Sequence, residues 1–267
     1  MMDQFHKDIE NCKSEFYIYN FTTSKLHTTE HQHTKGQFLY AEGGVLHVFL
    51  NQQHWYIPGR CFLWIPSNTP HYILSNSKQV TMFGLYLDIS PEDDPFFKEA
   101  NVYLVDDLLR EMIWFTKNWS GCIASHDEAK YHFLKAVKSN LPSMCHKVTG
   151  LPIQHPYPKD KRLINIGIYL KNNLETNYSL DEIAKEFGFS TRTLSRLFKE
   201  DMGMSYVKFS RALRLARALE LMAESNLNVY EIAVKVGYIS LSNFSNLFYR
   251  IMGIRPQEYM VKIRKSE

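Results

Sequence analysis

A chain of 267 residues, 45% hydrophobic and 14% aromatic, has room for about two domains, each with a real core. Its 31 basic and 28 acidic residues leave a net charge of only +3, which by itself names no partner. No run of 18 apolar residues and no GxxxxGK[ST] loop, GxGxxG turn, HExxH helix or GxSxG elbow occurs, which argues against a membrane span, an NTPase, a dehydrogenase, a zinc protease and a serine hydrolase.

The first residues, MMDQFHKDIENCKSEF, lack a basic segment followed by an apolar one, so a secretory signal is not expected and a cytoplasmic location is. Cys12, Cys61, Cys122 and Cys145 lie far apart, with no CxxC pair, and read as reduced, mostly buried thiols. Residues 15–88 read as short strands rich in β-branched and aromatic side chains: Glu15–Phe21, Gln37–Ala41, Val45–Leu50, Trp55–Ile57, Cys61–Ile65, His71–Leu74 and Val80–Leu87. Turn residues separate them, among them Glu42-Gly43-Gly44, Asn51-Gln52-Gln53, Pro58-Gly59 and Ser75-Asn76-Ser77. Many short strands at close spacing predict a sandwich or small barrel.

The period then changes. Val105, Leu108, Leu109, Met112 and Ile113 follow helical spacing, as do Tyr131, Leu134, Val137 and Leu141. This helical pair serves either as a dimer contact or as a lid within the chain. Thr149–Lys161, with three prolines and no periodicity, predicts an extended linker. From Arg162 onward the pattern is helical. Ser179 with Glu182 forms a capping box, Ser190 caps the next helix, and a long helix runs from Ser205 to about Glu224.

The charge is split along the chain. From Tyr157 onward 18 basic and 12 acidic residues give +6, so the first 156 residues carry −3, together with all eleven histidines. The basic part also repeats itself. Glu182-Ile183-Ala184 and Gly188-Phe189 recur 49 positions later as Glu231-Ile232-Ala233 and Gly237-Tyr238. Leu197-Phe198 and Met202-Gly203 recur 50 positions later, so one residue is inserted near Ile239-Ser240. Each copy reads helix, glycine-containing turn, helix, the shape of a helix-turn-helix whose second helix can enter a major groove. Leu194, Leu197 and Phe198 pin that helix inward. Thr191, Arg192, Thr193, Ser195 and Arg196 then face out in the first copy, and Ser240, Leu241, Ser242, Ser245 and Asn246 in the second. Arginines, short hydroxyls and an amide are the groups that read base edges.

The run SLDEIAKEFGFSTRTLSRLFKEDMGMS, the helix RALRLARALELM and VYEIAVKVGYISLSNFSNLFYRIMGIRPQEY, closing on Gly253, Pro256 and Tyr259, resemble the AraC/XylS family of bacterial transcription regulators. The resemblance covers about residues 160–265. It implies two helix-turn-helix units joined by the long helix, with reading helices in successive major grooves roughly 34 Å apart. By position, Arg192, Ser195 and Arg196 correspond to base readers of the first unit, and Leu241, Ser242, Ser245 and Asn246 to those of the second. Asn246 stands where many members have arginine, and its amide suits adenine. Arg255 stands where threonine is frequent and is either a phosphate contact or an exposed side chain without a role.

The first half resembles, more weakly, the cupin-type sensory domain of the same family. His31-Gln32-His33-Thr34-Lys35-Gly36-Gln37, Gly59 through Pro66 and Pro70-His71 carry that likeness. His31 and His33 on one strand put both imidazoles on the same face, and His71 from a neighbouring strand completes a facial set. A divalent metal on His31, His33 and His71, with Gln37 in the place of the usual carboxylate, is one reading. The others are a metal-free effector pocket over His31, His33, Gln37, Tyr40, Trp64 and His71, and histidines that serve only the fold. Trp55, Tyr72 and Tyr86 also suit a barrel wall.

The implied fold is a multidomain α+β chain: a cupin-like β-barrel over residues 1–90, a helical pair over 91–148, a linker over 149–160, and an all-α domain of two helix-turn-helix units over 161–267. The implied function is an effector-responsive regulator of transcription with no catalytic residue. Its partners are double-stranded DNA, a small-molecule effector and RNA polymerase, without a membrane, acting as monomer or homodimer. No cofactor is required for that function. A cupin metalloenzyme of oxygenase type with an appended nucleic-acid module is the competing reading, and an architectural DNA binder with an inert first domain is a third.

Overall fold

The computed structural model describes residues 2–51, 53–75, 77, 79–145, 154–156, 158 and 160–264. The first part runs α1 (Met2–Asn11), β1 (Phe16–Thr23), β2 (Leu26–His27), β3 (Gly36–Glu42), β4 (Leu46–Leu50), β5 (Gln53–Ile57), β6 (Cys61–Ile65), β7 (His71–Ser75) and β8 (Val80–Leu87). It continues with β9 (Asn101–Leu104), α2 (Asp107–Phe115), β10 (Gly121–Ile123), α3 (Glu128–Met144) and β11 (Gln154–Pro156). One sheet has the order β10-β1-β8-β3-β6-β9 and the other β11-β5-β4-β7-β2. Every strand pair is antiparallel, as hairpin-connected short strands allow.

All seven expected strands are present. The four others hold two to four residues each, too few to display an alternation. Strand β3 is buried along its whole length, because both of its faces are covered. Leu39 and Ala41 point into the core between the two sheets, with Leu63 and Ile65 of β6 and Val48 of β4. Phe38 and Tyr40 point the other way, with Phe62 and Trp64, toward Leu109 and Ile113 of α2 and Leu134, Val137 and Leu141 of α3. The apolar stripes of the helical pair therefore pack on the barrel within the chain. Each such fully buried side chain stabilises by about 1.5–3 kcal/mol.

The cysteines are not all reduced thiols, the state their spacing suggests. Cys12, just past α1, and Cys122, on β10, form a disulfide with their Cα atoms 5.6 Å apart; only Cys61 and Cys145 are free thiols among the described residues. The partners stand 110 positions apart and meet because β10 pairs with β1, placing Cys122 opposite Tyr17. Sequence spacing cannot show such a meeting. Within the expected extended linker, β11 pairs with the edge of β5, Gln154 opposite Trp55. Residues 146–153, 157 and 159 of the linker region lie outside the described residues, as do Gln52 and Asn76 of two expected turns.

The second part is helical: α4 (Lys161–Asn172), α5 (Leu180–Glu186), α6 (Thr191–Met202), α7 (Tyr206–Glu224), α8 (Val229–Lys235), α9 (Leu241–Met252) and α10 (Pro256–Arg264). Local signals fix the boundaries. Ser179 with Glu182, and Asn228 with Glu231, form complete capping boxes at α5 and α8. Ser190 and Ser240 cap α6 and α9, and Gly203 and Gly253 end them in the left-handed region. The caps are 50 apart and the capping boxes 49, so the inserted residue is Ile239, which is 95% exposed in the second turn.

The first unit packs around Leu163, Ile166, Ile183, Ala184, Leu194, Phe198 and Phe209. The core of the second unit, with Leu219, Ile232, Ala233, Phe244 and Phe248, is continuous with the core between the barrel sheets. Tyr259 of α10 is fully buried and donates its hydroxyl to the carbonyl of Gly59, in the turn before β6, at 2.6 Å. The barrel thus holds the second unit and leaves the first outside its core.

Candidate nucleic-acid interface and histidine cluster

The second helices of the two units present the same surface. Over ten positions from Thr191 and from Leu241 the order of exposure is identical: three exposed residues, one buried, a half-buried serine, an exposed residue, a half-buried leucine, a buried phenylalanine and two exposed residues. The buried anchors are Leu194 and Phe198 in α6, and Phe244 and Phe248 in α9. Arg192 and Arg196 stand out from α6, and Leu241, Ser242 and Asn246 from α9, with Ser195 and Ser245 half-buried beside them.

Some expected outward groups are already engaged. Ser240 is the cap of α9 and accepts from the Asn243 amide at 3.3 Å. Thr193 Oγ1 lies 2.8 Å from Ser190 Oγ, and Thr191 donates to Asp181 at 2.5 Å. These three side chains fix the helix starts. Arg196 lies 3.7 Å from Glu200, a solvent-exposed pair of little strength. Arg255 is exposed and has contacts within the chain. Its guanidinium donates to Asn246 Oδ1 at 2.9 Å and stacks over Tyr249 at 4.6 Å. The amide oxygen of Asn246 is thereby held, and its NH2 group is the end left to turn outward.

Residues missed in the sequence tie the units together. Arg214, on α7, is 6% exposed. It donates to the Gly237 carbonyl at 3.0 Å and to the Thr176 carbonyl at 3.3 Å. Burial pulls its pKa below the ordinary guanidinium range. Between the units lies an open cleft of about 930 Å³, with Arg211 and Arg250 on its walls beside Asn243 and Asn246. Helical spacing from Arg211 to Arg214 is the one signal that could have pointed to this face.

In the barrel, His31, His33 and His71 each offer a ring nitrogen within 4.8 Å of the other two. His31 and His33 do not share a strand. His31 makes a single bridge to His71, and His33 lies in the loop between that bridge and β3. Gln37 reaches the same cluster from β3, its Oε1 3.1 Å from His33 Nε2. His6 of α1 stacks on His31 at 3.8 Å, and Tyr86 meets His33 edge-on at 5.0 Å. Burial pulls the pKa of His31 down to about 4 and also lowers those of His33 and His71, so the rings are neutral near pH 7.

Tyr40 and Trp64 do not join this cluster. Tyr40 is three residues from Gln37 on a strand, so it faces the opposite side. There it donates to Glu42, and Trp64 donates to the Phe97 carbonyl at 2.9 Å. Trp55 belongs to the core between the sheets, and Tyr72 stacks on Phe49 at 4.5 Å. Tyr86 is the barrel aromatic that meets the cluster, at His33.

Residues 14–94 match the family described as AraC-like ligand binding domain, and residues 183–262 match a helix-turn-helix domain family. The chain is 25% identical over 243 residues to the HTH-type transcriptional regulator NimR of Escherichia coli, covering 90% of this chain and 85% of that one. It is 29% identical over 106 residues to the HTH-type transcriptional activator AarP of Providencia stuartii, covering 40% of this chain and 78% of that one. A match to YfiF of Bacillus subtilis, 34% identical over 94 residues, spans 35% of this chain and only 30% of that longer protein. Among solved structures, ToxT of Vibrio cholerae aligns over 93% of this chain and 98% of its own at 15% identity, with a TM-score of 0.38.

Proposed function

The chain belongs to the AraC/XylS family of DNA-binding transcription regulators, and from that premise we propose that it sets α6 and α9 into successive major grooves while its barrel takes an effector. The observation that carries this reading is the identical exposure of the two helices on one framework. Helix α7 is 19 residues long, about 28 Å, and links the units as a single rod.

In this reading Arg192 and Arg196 meet guanine edges or phosphates from α6, and Ser195 supports them. Leu241 and Ser242 meet the second groove at the start of α9, where Leu241 suits a thymine methyl group. Asn246 offers its NH2 group to a base acceptor while Arg255 holds its oxygen. Arg211 and Arg250 on the cleft walls suit the phosphates between the grooves.

The barrel can bias this arrangement because its core continues into the second unit. Any effector that binds the docked and released arrangements unequally shifts the population between them. Selection of DNA from a random pool by the full chain tests the reading. It should return two half-sites with centres about 10–10.5 base pairs apart. A single short site, or no sequence preference, would reject it.

A further inference from the structure

The three histidine rings share one hydrogen-bonding habit. His31 Nδ1 lies 2.9 Å from the Thr29 carbonyl, His33 Nδ1 lies 2.5 Å from the Lys35 carbonyl, and His71 Nδ1 lies 2.8 Å from the Thr69 carbonyl. A carbonyl oxygen only accepts, so each Nδ1 must carry the hydrogen. Each neutral ring then keeps a bare lone pair on Nε2. Within the cluster His71 is fully buried and its Nε2 has no hydrogen-bond partner. His33 Nε2 faces Gln37 Oε1 at 3.1 Å, one acceptor set against another.

Lone pairs brought together in a largely buried site need a shared positive charge. A metal ion fills that need. The 3.1 Å between His33 Nε2 and Gln37 Oε1 fits two neighbouring ligands on one ion with bonds of about 2.1 Å. Backbone carbonyls on the far ring nitrogens are the usual outer shell of histidine ligands, fixing tautomer and direction. The donor set has three imidazoles, one amide oxygen and no carboxylate. Imidazole-rich sites select zinc, nickel, cobalt or copper, whereas magnesium and calcium want oxygen ligands.

We infer that His31, His33 and His71, with Gln37 as the oxygen donor, form a site for one divalent transition-metal ion in the barrel. Helix α1 closes over it: His6 lies on His31, and Glu10 accepts from the Thr34 amide at 2.7 Å. The existence of the site does not depend on the regulator reading. Its use as the effector site does.

The test uses the untagged full chain, stripped with chelator and titrated with Co²⁺, whose visible absorption reports coordination, followed by competition with Zn²⁺. One equivalent should bind with a Kd below about 10 µM and be displaced by Zn²⁺. His71→Ala should weaken binding about 100-fold and Gln37→Leu about 10-fold. If His71→Ala does not fold, His31→Asn at the half-exposed position reads the same loss. Absence of binding at millimolar Co²⁺, or binding unchanged in the variants, overturns the site; Gln37 then holds the rings by donating from a turned amide. Operator binding measured on the same preparations separates the two claims. Metal uptake without sequence-specific DNA binding overturns the regulator reading alone, and DNA binding without metal uptake overturns the metal site alone.

Discussion

Arg214 and Gly237 lock the two helix-turn-helix units into one body. The guanidinium on α7 reaches the Gly237 carbonyl at 3.0 Å with one nitrogen and the Thr176 carbonyl of the first unit at 3.3 Å with the other. Replacement by Arg214→Met keeps much of the packing and removes both donors. Leaving buried carbonyls unpaired should cost about 1–3 kcal/mol in denaturant unfolding. The loss of affinity should be greater for a two-half-site operator than for a single half-site, because what loosens is the spacing between reading helices. Equal losses on both DNAs would show that Arg214 does not set the spacing.

The two turn glycines should respond differently to the same change. Gly188 and Gly237 both have positive φ, 71° and 81°, so alanine is strained at either by about 1 kcal/mol. At Gly188 an added Cβ meets nothing within 4 Å. At Gly237 it falls 2.3 Å from the Leu174 carbonyl oxygen and 2.9 Å from Arg214 Nη1. Gly237→Ala should therefore destabilise the chain by roughly 1–3 kcal/mol more than Gly188→Ala. Thermal or urea unfolding of the pair checks it, and equal values would contradict the close approach.

Much of this was written in local pattern. The strands, the capping boxes and the 49-then-50 repeat needed only neighbours in sequence, because period and capping act within a few residues. The sorting of β3 was legible too, since Gln37 and Tyr40 stand an odd number of positions apart; grouping them in one pocket overlooked it. The disulfide and the Arg214 bridge were not legible. Cys12 and Cys122 meet through strand pairing 110 residues apart, and Arg214 reads as one more surface arginine until α4, α7 and α8 are packed. The histidine cluster lay between the two cases. His31 and His33 converge without sharing a strand, brought together by a loop and a bridge to His71.

Base reading should separate by residue. Arg196 is exposed on α6, and Arg196→Ala should lower specific affinity by about 1–3 kcal/mol and relax preference at one base position. Arg255→Ala frees the Asn246 oxygen, which Arg255 now holds at 2.9 Å. It should change base preference at the position Asn246 reads while leaving the first half-site untouched. Binding arrays of single-base operator variants distinguish the two. A uniform loss across all sequences would reduce either residue to a phosphate contact.

The disulfide should be both a stabiliser and a selective label. It closes a loop of over one hundred residues and pins the end of α1 to β10, so reduction should cost about 2–4 kcal/mol. Cys122→Ser should show the same loss and no further response to reductant. Cys61 and Cys145 are buried, and burial pushes the Cys145 thiol up to about 12 and that of Cys61 higher still. A thiol reagent after mild reduction should label the exposed Cys122 quickly, and the buried Cys12, Cys61 and Cys145 only on unfolding. Rapid labelling of four thiols in the folded chain would contradict the burial.

Tyr259 tests whether the barrel holds the second unit. Its hydroxyl is buried and donates at 2.6 Å to Gly59, and Ile263 of the same helix faces that glycine. Tyr259→Phe removes one oxygen, keeps the ring against Phe248, and leaves the Gly59 carbonyl without its donor. The cost should be about 1–3 kcal/mol of stability in the full chain. Amide exchange should rise at the Gly59 turn and along α10 while α5 and α6, whose core is separate, stay protected as before. Faster exchange throughout both units would mean that Tyr259 supports the helical domain as a whole, and the docking of the barrel on its second half would have to rest on the shared apolar core alone.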